Sequence, residues 1–222
     1  MATGERWRSV SAVCGLLAGP VLFVATGAAV LAQPDEFSVV NHENSDLGAV
    51  TANSPWLDNQ LGSNLPGLLL LVFAIGLWRS LGSRRSARIG SVLVGVAGVG
   101  IFLSGFFRID CRHIDRGCDP NSSWHATAHN VTGGITVIGL VLAPFVLSRA
   151  LKFIPEWRDL WILTLVFGVG TIAAAVLGGA IGDGVASLLG VLVWFIWITI
   201  LAAKMLRLSR ATEPAADAPA FP

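Results

Sequence analysis

Two histidines four residues apart open an apolar stretch of the chain. Residues 124–129 read WHATAH, and in a helix this spacing puts His125 and His129 on one face, about one turn apart. Helices offer pairs of nitrogen ligands to zinc in this way, and a third ligand completes such a site. Asp46 and Asp110 are carboxylates in the polar segments that precede this stretch. The pattern predicts a zinc site formed by His125, His129 and Asp46.

A zinc ion held in this way would make the site hydrolytic. Bound zinc lowers the pKa of a water ligand to about 7, and a neighbouring carboxylate can then act as general base. We expect Asp46, Asp110 and Ser45 to be the catalytic side chains. Two alternatives remain open. In one, His125 and His129 only donate hydrogen bonds to loop carboxylates; in the other, a buried aspartate with a raised pKa acts as an acid without metal.

Six apolar stretches surround these residues and determine the fold class. Each has about the length of 17–25 residues that a helix needs to cross a hydrocarbon core. With 54% hydrophobic and 13% charged residues, the composition is unlike that of a soluble globular domain. The alternating pattern of a membrane β-barrel is absent. We predict an all-α integral membrane bundle of six transmembrane helices, which cover residues 10–32, 61–78, 89–107, 124–148, 160–181 and 185–203.

The basic residues predict how the bundle is oriented. Twelve of the fifteen Lys and Arg lie in the N-terminal segment, the second-to-third connection, the fourth-to-fifth connection and the C-terminal end. Segments of this kind face the cytoplasm. The opposite connections carry nine acidic residues and two of the four histidines, and the other two, His125 and His129, open the fourth span at the same side. We therefore expect a multi-pass protein of the cell membrane with both termini in the cytoplasm.

The chain divides into one membrane domain and two tails. We predict a cytoplasmic tail over residues 1–9, the six-span domain over 10–205 and a disordered cytoplasmic tail over 206–222, whose end is rich in Ala and Pro. The first apolar run also has features of a signal peptide, with basic residues before it and VLA at residues 30–32. Its length of about 22 residues exceeds the usual 7–15 of a signal core, which favours retention.

The two longer outer connections carry further information. The first, residues 33–60, is dense in side chains that form hydrogen bonds, and we expect a long ordered loop that caps the helix ends. The second contains Cys111 and Cys118, on the side that the topology makes oxidising. We predict a disulfide between them that contributes about 2–3 kcal/mol. A metal thiolate pair completed by His113 is the alternative.

Small residues recur about one helical turn apart in several spans. The fifth span has Gly170, Ala174, Gly178 and Gly182 at steps of four, and the third has small residues on a similar face, including Gly98. Stripes of this kind let two helices approach closely in a membrane. We expect neighbouring helices to pack against these positions.

Several short motifs follow one another in a recognisable order. They are Ser45-Asp46-Leu47-Gly48, Trp56, Asn59, GLLLL at residues 67–71, SGFF at 104–107, Asp110 and His125. In this order and placement between spans, the chain resembles the prokaryotic membrane family catalogued as domain of unknown function 998, over about residues 10–205. The resemblance implies a six-span integral membrane protein and no named activity. The two-cysteine connection of this chain is longer than the usual one of the family.

The candidate site residues support a weaker resemblance as well. Ser45, Asp46, His125 and His129 are similar in kind to the zinc-binding side chains of membrane hydrolases of the alkaline-ceramidase and adiponectin-receptor type. Those proteins have seven spans and draw their histidines from distant helices. The resemblance therefore extends only to the hypothesis of a zinc-dependent hydrolase at one membrane face.

We therefore expect a metal-dependent hydrolase that acts on a membrane lipid. A non-catalytic lipid- or partner-binding membrane protein is one alternative, and metal-free acid catalysis on an isoprenoid or lipid is another. The sequence has no basic, aromatic-rich surface of the kind that binds nucleic acid, and it identifies no partner protein.

Overall fold

Six long helices make up the protein. A computed structural model describes residues 2–211, and these residues contain helices, turns and loops but no β-strand. The structure confirms the predicted all-α fold. The long helices are α1 (Ala2–Leu31), α2 (Leu65–Ser80), α3 (Arg85–Ser104), α4 (Trp124–Leu151), α5 (Trp161–Gly179) and α6 (Asp183–Ala211).

All six helices are long and apolar enough to cross a membrane. The segments that meet this condition are 20 to 29 residues long. The second of them combines α2 with a π-helical segment, Leu57–Asn64, that leads directly into it. The six predicted spans therefore correspond one to one with helices of the structure.

The order of the helices around the bundle follows the order of the chain. Each helix packs against the next one, and α1 also packs against α6, which closes the bundle. Large side chains fill the centre: Phe73, Leu147, Trp194, Phe195 and Trp197 are each at most 2% exposed. One polar contact joins α5 to α6 inside this core, where Trp197 Nε1 donates to Thr164 Oγ1 over 3.2 Å.

Small residues lie where two helix backbones come closest. A Cβ atom built on Gly178 of α5 would be 2.8 Å from Ala186 Cα of α6. Gly98 of α3 has similarly little space, with Gly67 O of α2 at 3.2 Å from such a Cβ. The prediction of close helix packing at these positions is confirmed.

The first and last helices extend beyond the predicted spans. Helix α1 begins at Ala2, so helical structure runs through the segment that we predicted as an N-terminal tail. Helix α6 continues to Ala211, although we predicted disorder from residue 206. The extension has a packing cause, because Ser209 is 1% exposed and accepts a hydrogen bond from Ser9 Oγ over 3.0 Å. The rest of the predicted tail, 212–222, lies outside the described residues.

The packing of Gly67 leads to a test of the close approach of α2 and α3. A Cβ atom at this position would lie 2.7 Å from Phe102 Cα, so Gly67→Ala must push two backbones apart. We expect this change to lower the thermal midpoint of the detergent-solubilised protein by roughly 3–10 °C. Gly134→Ala on α4 is the control, because its Cβ would meet nothing within 4 Å. Equal midpoints for the two variants would contradict the described packing.

Candidate functional site

Two connecting segments form a polar cap at one end of the bundle. We use this name for residues 33–56, between α1 and the π-helical segment, and residues 105–123, between α3 and α4. The backbone of Val50 donates to Ile109 O over 3.1 Å and so joins the two segments. A small buried apolar cluster, Ala49, Ala52, Ile109 and Ala126, lies beneath this contact. Most of the side chains predicted to do chemistry belong to this cap.

A buried carboxylate in the cap holds the second segment to the first. Asp46 lies in a short 3-10 turn, Asn44–Gly48, and its side chain is 0% exposed. Its Oδ1 atom accepts the backbone N–H of His113 over 3.0 Å and lies 2.7 Å from Nδ1 of the same histidine. Its Oδ2 atom is also buried and has no hydrogen-bond partner in the part of the chain that the structure describes. The imidazole of His113, by contrast, is 41% exposed.

The contact with Asp46 changes the protonation of His113. Burial of the ring lowers its pKa, but the hydrogen bond and charge of Asp46, together with the charge of Glu43, raise it more. The pKa of His113 in the folded protein therefore lies above its ordinary value of 6.5. In the neutral ring, Nδ1–H donates to Asp46 and Nε2 is left as the proton acceptor.

The carboxylate of Asp110 holds the start of α4. Its Oδ2 atom accepts Ser122 Oγ–H over 2.9 Å and the backbone N–H of Ser123 over 2.7 Å. The hydrogen bonds from Ser123, and then those from Ser122, hold the pKa of Asp110 below its usual range. Ser123 in turn caps α4, since its Oγ accepts the backbone N–H of Ala126 over 3.3 Å. These contacts give Asp110 a structural role at a helix entry.

The two predicted zinc histidines have separate surroundings. His125 is exposed and its ring lies against Trp124, with centroids 3.9 Å apart. His129 donates from Nδ1 to the Phe107 carbonyl over 2.8 Å. Within residues 2–211, neither forms a hydrogen bond with Asp46, whose partner is His113. Ser45 is engaged elsewhere, because its Oγ donates to Glu43 Oε2 over 3.0 Å.

The predicted zinc site therefore gains no support from the structure. Within residues 2–211, no group of three or more His, Cys, Asp or Glu side chains is arranged to hold a metal ion. The alternative, in which His125 and His129 donate to loop carboxylates, also gains no support, because the acceptor of His129 is the Phe107 carbonyl. A contact between a histidine and a buried carboxylate is made by His113 instead, which bonds Asp46 across the two cap segments. For His113 the sequence predicts only a role as an alternative metal ligand. The position of His113 between two cysteines that form a short loop is the sequence feature that could have predicted a fixed ring.

The disulfide between Cys111 and Cys118 is present, as predicted. It closes the short loop that carries His113, and Cys111 is fully buried. Asp115 in the same loop binds the Arg112 guanidinium over 2.8 Å and accepts a hydrogen bond from Thr51 in the first cap segment. The hydrogen bond from Arg112 is the main reason why the pKa of Asp115 lies below its usual range. The loop thus contacts the first segment at Asp46, Thr51 and Gln33.

The π-helical segment connects the cap to the bundle. Asn59 is 4% exposed and donates from Nδ2 to Gly48 O over 3.0 Å. One turn further on, Asn64 Nδ2 donates to Phe102 O on α3 over 2.6 Å. π-Helical turns are rare and occur often at functional sites. Here the segment directs two amide side chains toward backbone carbonyls of the cap and of the neighbouring helix.

The raised pKa of His113 leads to a pH-dependent stability. A raised pKa in the folded state means that protonated His113 stabilises the fold below pH 6.5, and that this contribution is lost as pH rises through the folded pKa. We expect the thermal midpoint to fall by roughly 1–3 °C from about pH 6 to about pH 8. His113→Gln should remove this slope, whereas His125→Gln should retain it. A slope that persists in His113→Gln would refute the assignment.

Reduction of the disulfide should loosen the cap. Because the bond closes a short loop, its loss should cost about 2–3 kcal/mol in the free energy of unfolding. We expect the thermal midpoint of the wild-type protein to fall on addition of a reductant. The Cys111→Ser/Cys118→Ser double variant should start at the lower midpoint and show no response to reductant. If complete reduction left the thermal midpoint of the wild-type protein unchanged, the stabilising role of the disulfide would be refuted.

Comparison with known proteins gives the chain a family. A search of curated proteins and a search of solved structures each found no match. The model of a family described as protein of unknown function, DUF998, matches residues 16–204. The match covers most of the chain, including all the predicted site residues and parts of all six helices. The chain therefore belongs to the DUF998 family.

Proposed function

We propose that this protein binds membrane lipid without breaking a bond, and that the His and Asp residues of the polar cap are structural. One observation supports this proposal more than any other: the side chains predicted to be catalytic are used to build the cap. Asp46 binds His113, Asp110 binds the start of α4, and Ser45 binds Glu43. The hydrogen bonds to Asp110 also lower its pKa, which makes this carboxylate a weaker base toward water.

The proposal includes an orientation in the cell membrane. The basic residues favour a bundle with both termini in the cytoplasm and the polar cap on the outer side. The disulfide in the cap agrees with this orientation, because disulfides persist on the oxidising side of a membrane.

The distribution of apolar space favours lipid as the ligand. A cleft of about 370 Å³ opens between α2 and α3, with an apolar lining that includes Leu71, Ile75 and Val92. It lies near the end of α2 that is remote from the cap, since Trp78 is about 20 Å along the helix from Asn64. A lipid chain in this cleft would not meet the carboxylates of the cap, which favours binding over catalysis.

A second candidate function rests on the geometry of Asp46 and His113. A buried carboxylate on Nδ1 with an exposed ring is the arrangement that prepares Nε2 as a general base. In this case Nε2 would take a proton from water as the water oxygen attacks a lipid ester carbonyl, and would then return the proton to the leaving alcohol. Asp46 would stabilise the imidazolium formed between the two steps. The unpartnered Oδ2 atom of Asp46 also favours an additional polar group at this position.

One set of measurements separates the two candidates. We expect purified wild-type protein to retain phospholipid and to leave an ester-linked phospholipid intact over long incubation. His113→Ala should lower the free energy of unfolding by about 1–3 kcal/mol without changing the retained lipid, because the buried Asp46 carboxylate then keeps only the backbone N–H of residue 113. His125→Ala is the matched control and should behave as wild type.

Two results would overturn the proposed function. If the purified wild-type protein retained no lipid, the proposed lipid binding would be refuted. Wild-type protein that hydrolyses the phospholipid, with loss of this activity in folded His113→Ala, would establish the second candidate instead.

A further inference from the structure

The cleft between α2 and α3 has apolar walls and a cationic end. Leu71, Ile75 and Trp78 line it from α2, and Val92 and Gly95 line it from α3. Arg79, at the end of α2, is also part of the lining. The walls suit a hydrocarbon chain, and the guanidinium group suits an anion.

The arginines near this end of the cleft lack acidic partners. The end of α2, the start of α3 and the connection between them contain Arg79, Arg84, Arg85 and Arg88. No acidic residue occurs between Asp58 and Asp110. Within the described residues, none of these four arginines forms an ion pair. Arg79 and Arg88 lie over the rings of Trp7 and Trp78, at 5.3 and 5.6 Å from the ring centroids. Aromatic contacts thus hold the two guanidinium groups near the cleft and leave their charge available.

A glycine keeps the cleft open. A Cβ atom at Gly95 would meet only Ala74 Cβ, at 3.6 Å, which is an ordinary van der Waals contact. On the same helix, a Cβ at Gly98 would meet atoms of α2 at 3.2 Å, so close packing of the two helices explains the glycine at that position. A larger side chain at Gly95 is therefore compatible with the helix pair and would occupy the cleft.

We propose that this cleft binds one acyl chain of an anionic phospholipid, whose phosphate is held by Arg79 and Arg88. The inference rests on the proposed lipid binding and adds the site and the headgroup class. The chain would cover Trp78 and the apolar walls, and the phosphate would accept hydrogen bonds from the guanidinium groups. Charge favours this occupant over a second copy of the protein, because a symmetric copy would bring a second set of unpaired arginines against the first.

Lipid exchange on the full-length protein tests the proposal. Native mass spectrometry in detergent would compare retention of phosphatidylglycerol and phosphatidylcholine with identical acyl chains. Both lipids carry a phosphate, but the quaternary ammonium of phosphatidylcholine offsets its charge, so only phosphatidylglycerol has the net negative charge that basic residues attract. We therefore expect wild-type protein to prefer phosphatidylglycerol by roughly tenfold. Arg79→Gln/Arg88→Gln should reduce the preference to about twofold or less. Arg210→Gln, an exposed arginine at the end of α6, is the charge control and should keep the preference.

The apolar part of the site has its own pair of variants. Gly95→Leu should displace both lipids from the cleft, because the leucine side chain would occupy the space of the acyl chain. We expect retention of phosphatidylglycerol to fall by roughly fivefold or more. Gly134→Leu is the matched control, because it adds the same side chain to α4 where a Cβ meets nothing within 4 Å. Circular dichroism and the thermal midpoint would establish that each variant is folded.

Several outcomes would overturn the proposal. Equal retention of the two lipids by wild type would refute the anionic site while leaving the proposed lipid binding intact, whereas retention of neither would refute both. Equal effects of Gly95→Leu and Gly134→Leu would exclude the cleft as the site. Displacement of phosphatidylglycerol by inorganic phosphate alone would reveal a phosphate site without a chain, and a dimer lost in Gly95→Leu would assign the cleft to a second copy.

Discussion

Hydrocarbon offers no hydrogen-bond partner to a peptide group, and this constraint governs the whole molecule. Each span is a helix because a helix satisfies its own backbone. Lipid also provides no hydrophobic force between helices, so their association depends on close van der Waals contact and a few buried polar bonds. Gly67 and Gly178 permit such contact, and the bond from Trp197 to Thr164 is one of the polar links. Where the chain leaves the helices, its backbone needs other partners, and the polar cap provides them.

The cap is organised by directed polar contacts more than by apolar burial. The small apolar cluster beneath it consists of Ala49, Ala52 and Ile109 of the cap with Ala126 of α4. Asp46 and Asn59 are buried instead, and each fixes a backbone group from a different segment. Buried polar networks of this kind specify one geometry, because a displaced donor leaves a costly unpaired partner. This accounts for how a connection with only one 3-10 turn can hold a defined position over the helix ends.

The sequence predicts the fold much better than the site, and the reason is physical. Hydropathy along one segment suffices to identify a span, and glycine spacing suffices to locate close packing at Gly98 and Gly178. The disulfide was predictable too, because its cysteines are close in the chain. The partners of Asp46 were not, since His113 is 67 residues away and only the folded loop brings them together. Likewise His125 and His129 share a helix face by spacing, yet ring stacking and a carbonyl give them separate partners.

The bond between Cys111 and Cys118 has a consequence for biogenesis. It encloses Arg112, His113 and Asp115, which all reach the first cap segment. Closure of this loop needs an oxidant, which cells provide on only one side of the membrane. A chain whose cap faced the reducing side would keep both thiols reduced, and the preformed loop that presents His113 to Asp46 would be missing. Formation of the disulfide would then make the stability of the cap depend on the direction in which the chain is inserted into the membrane.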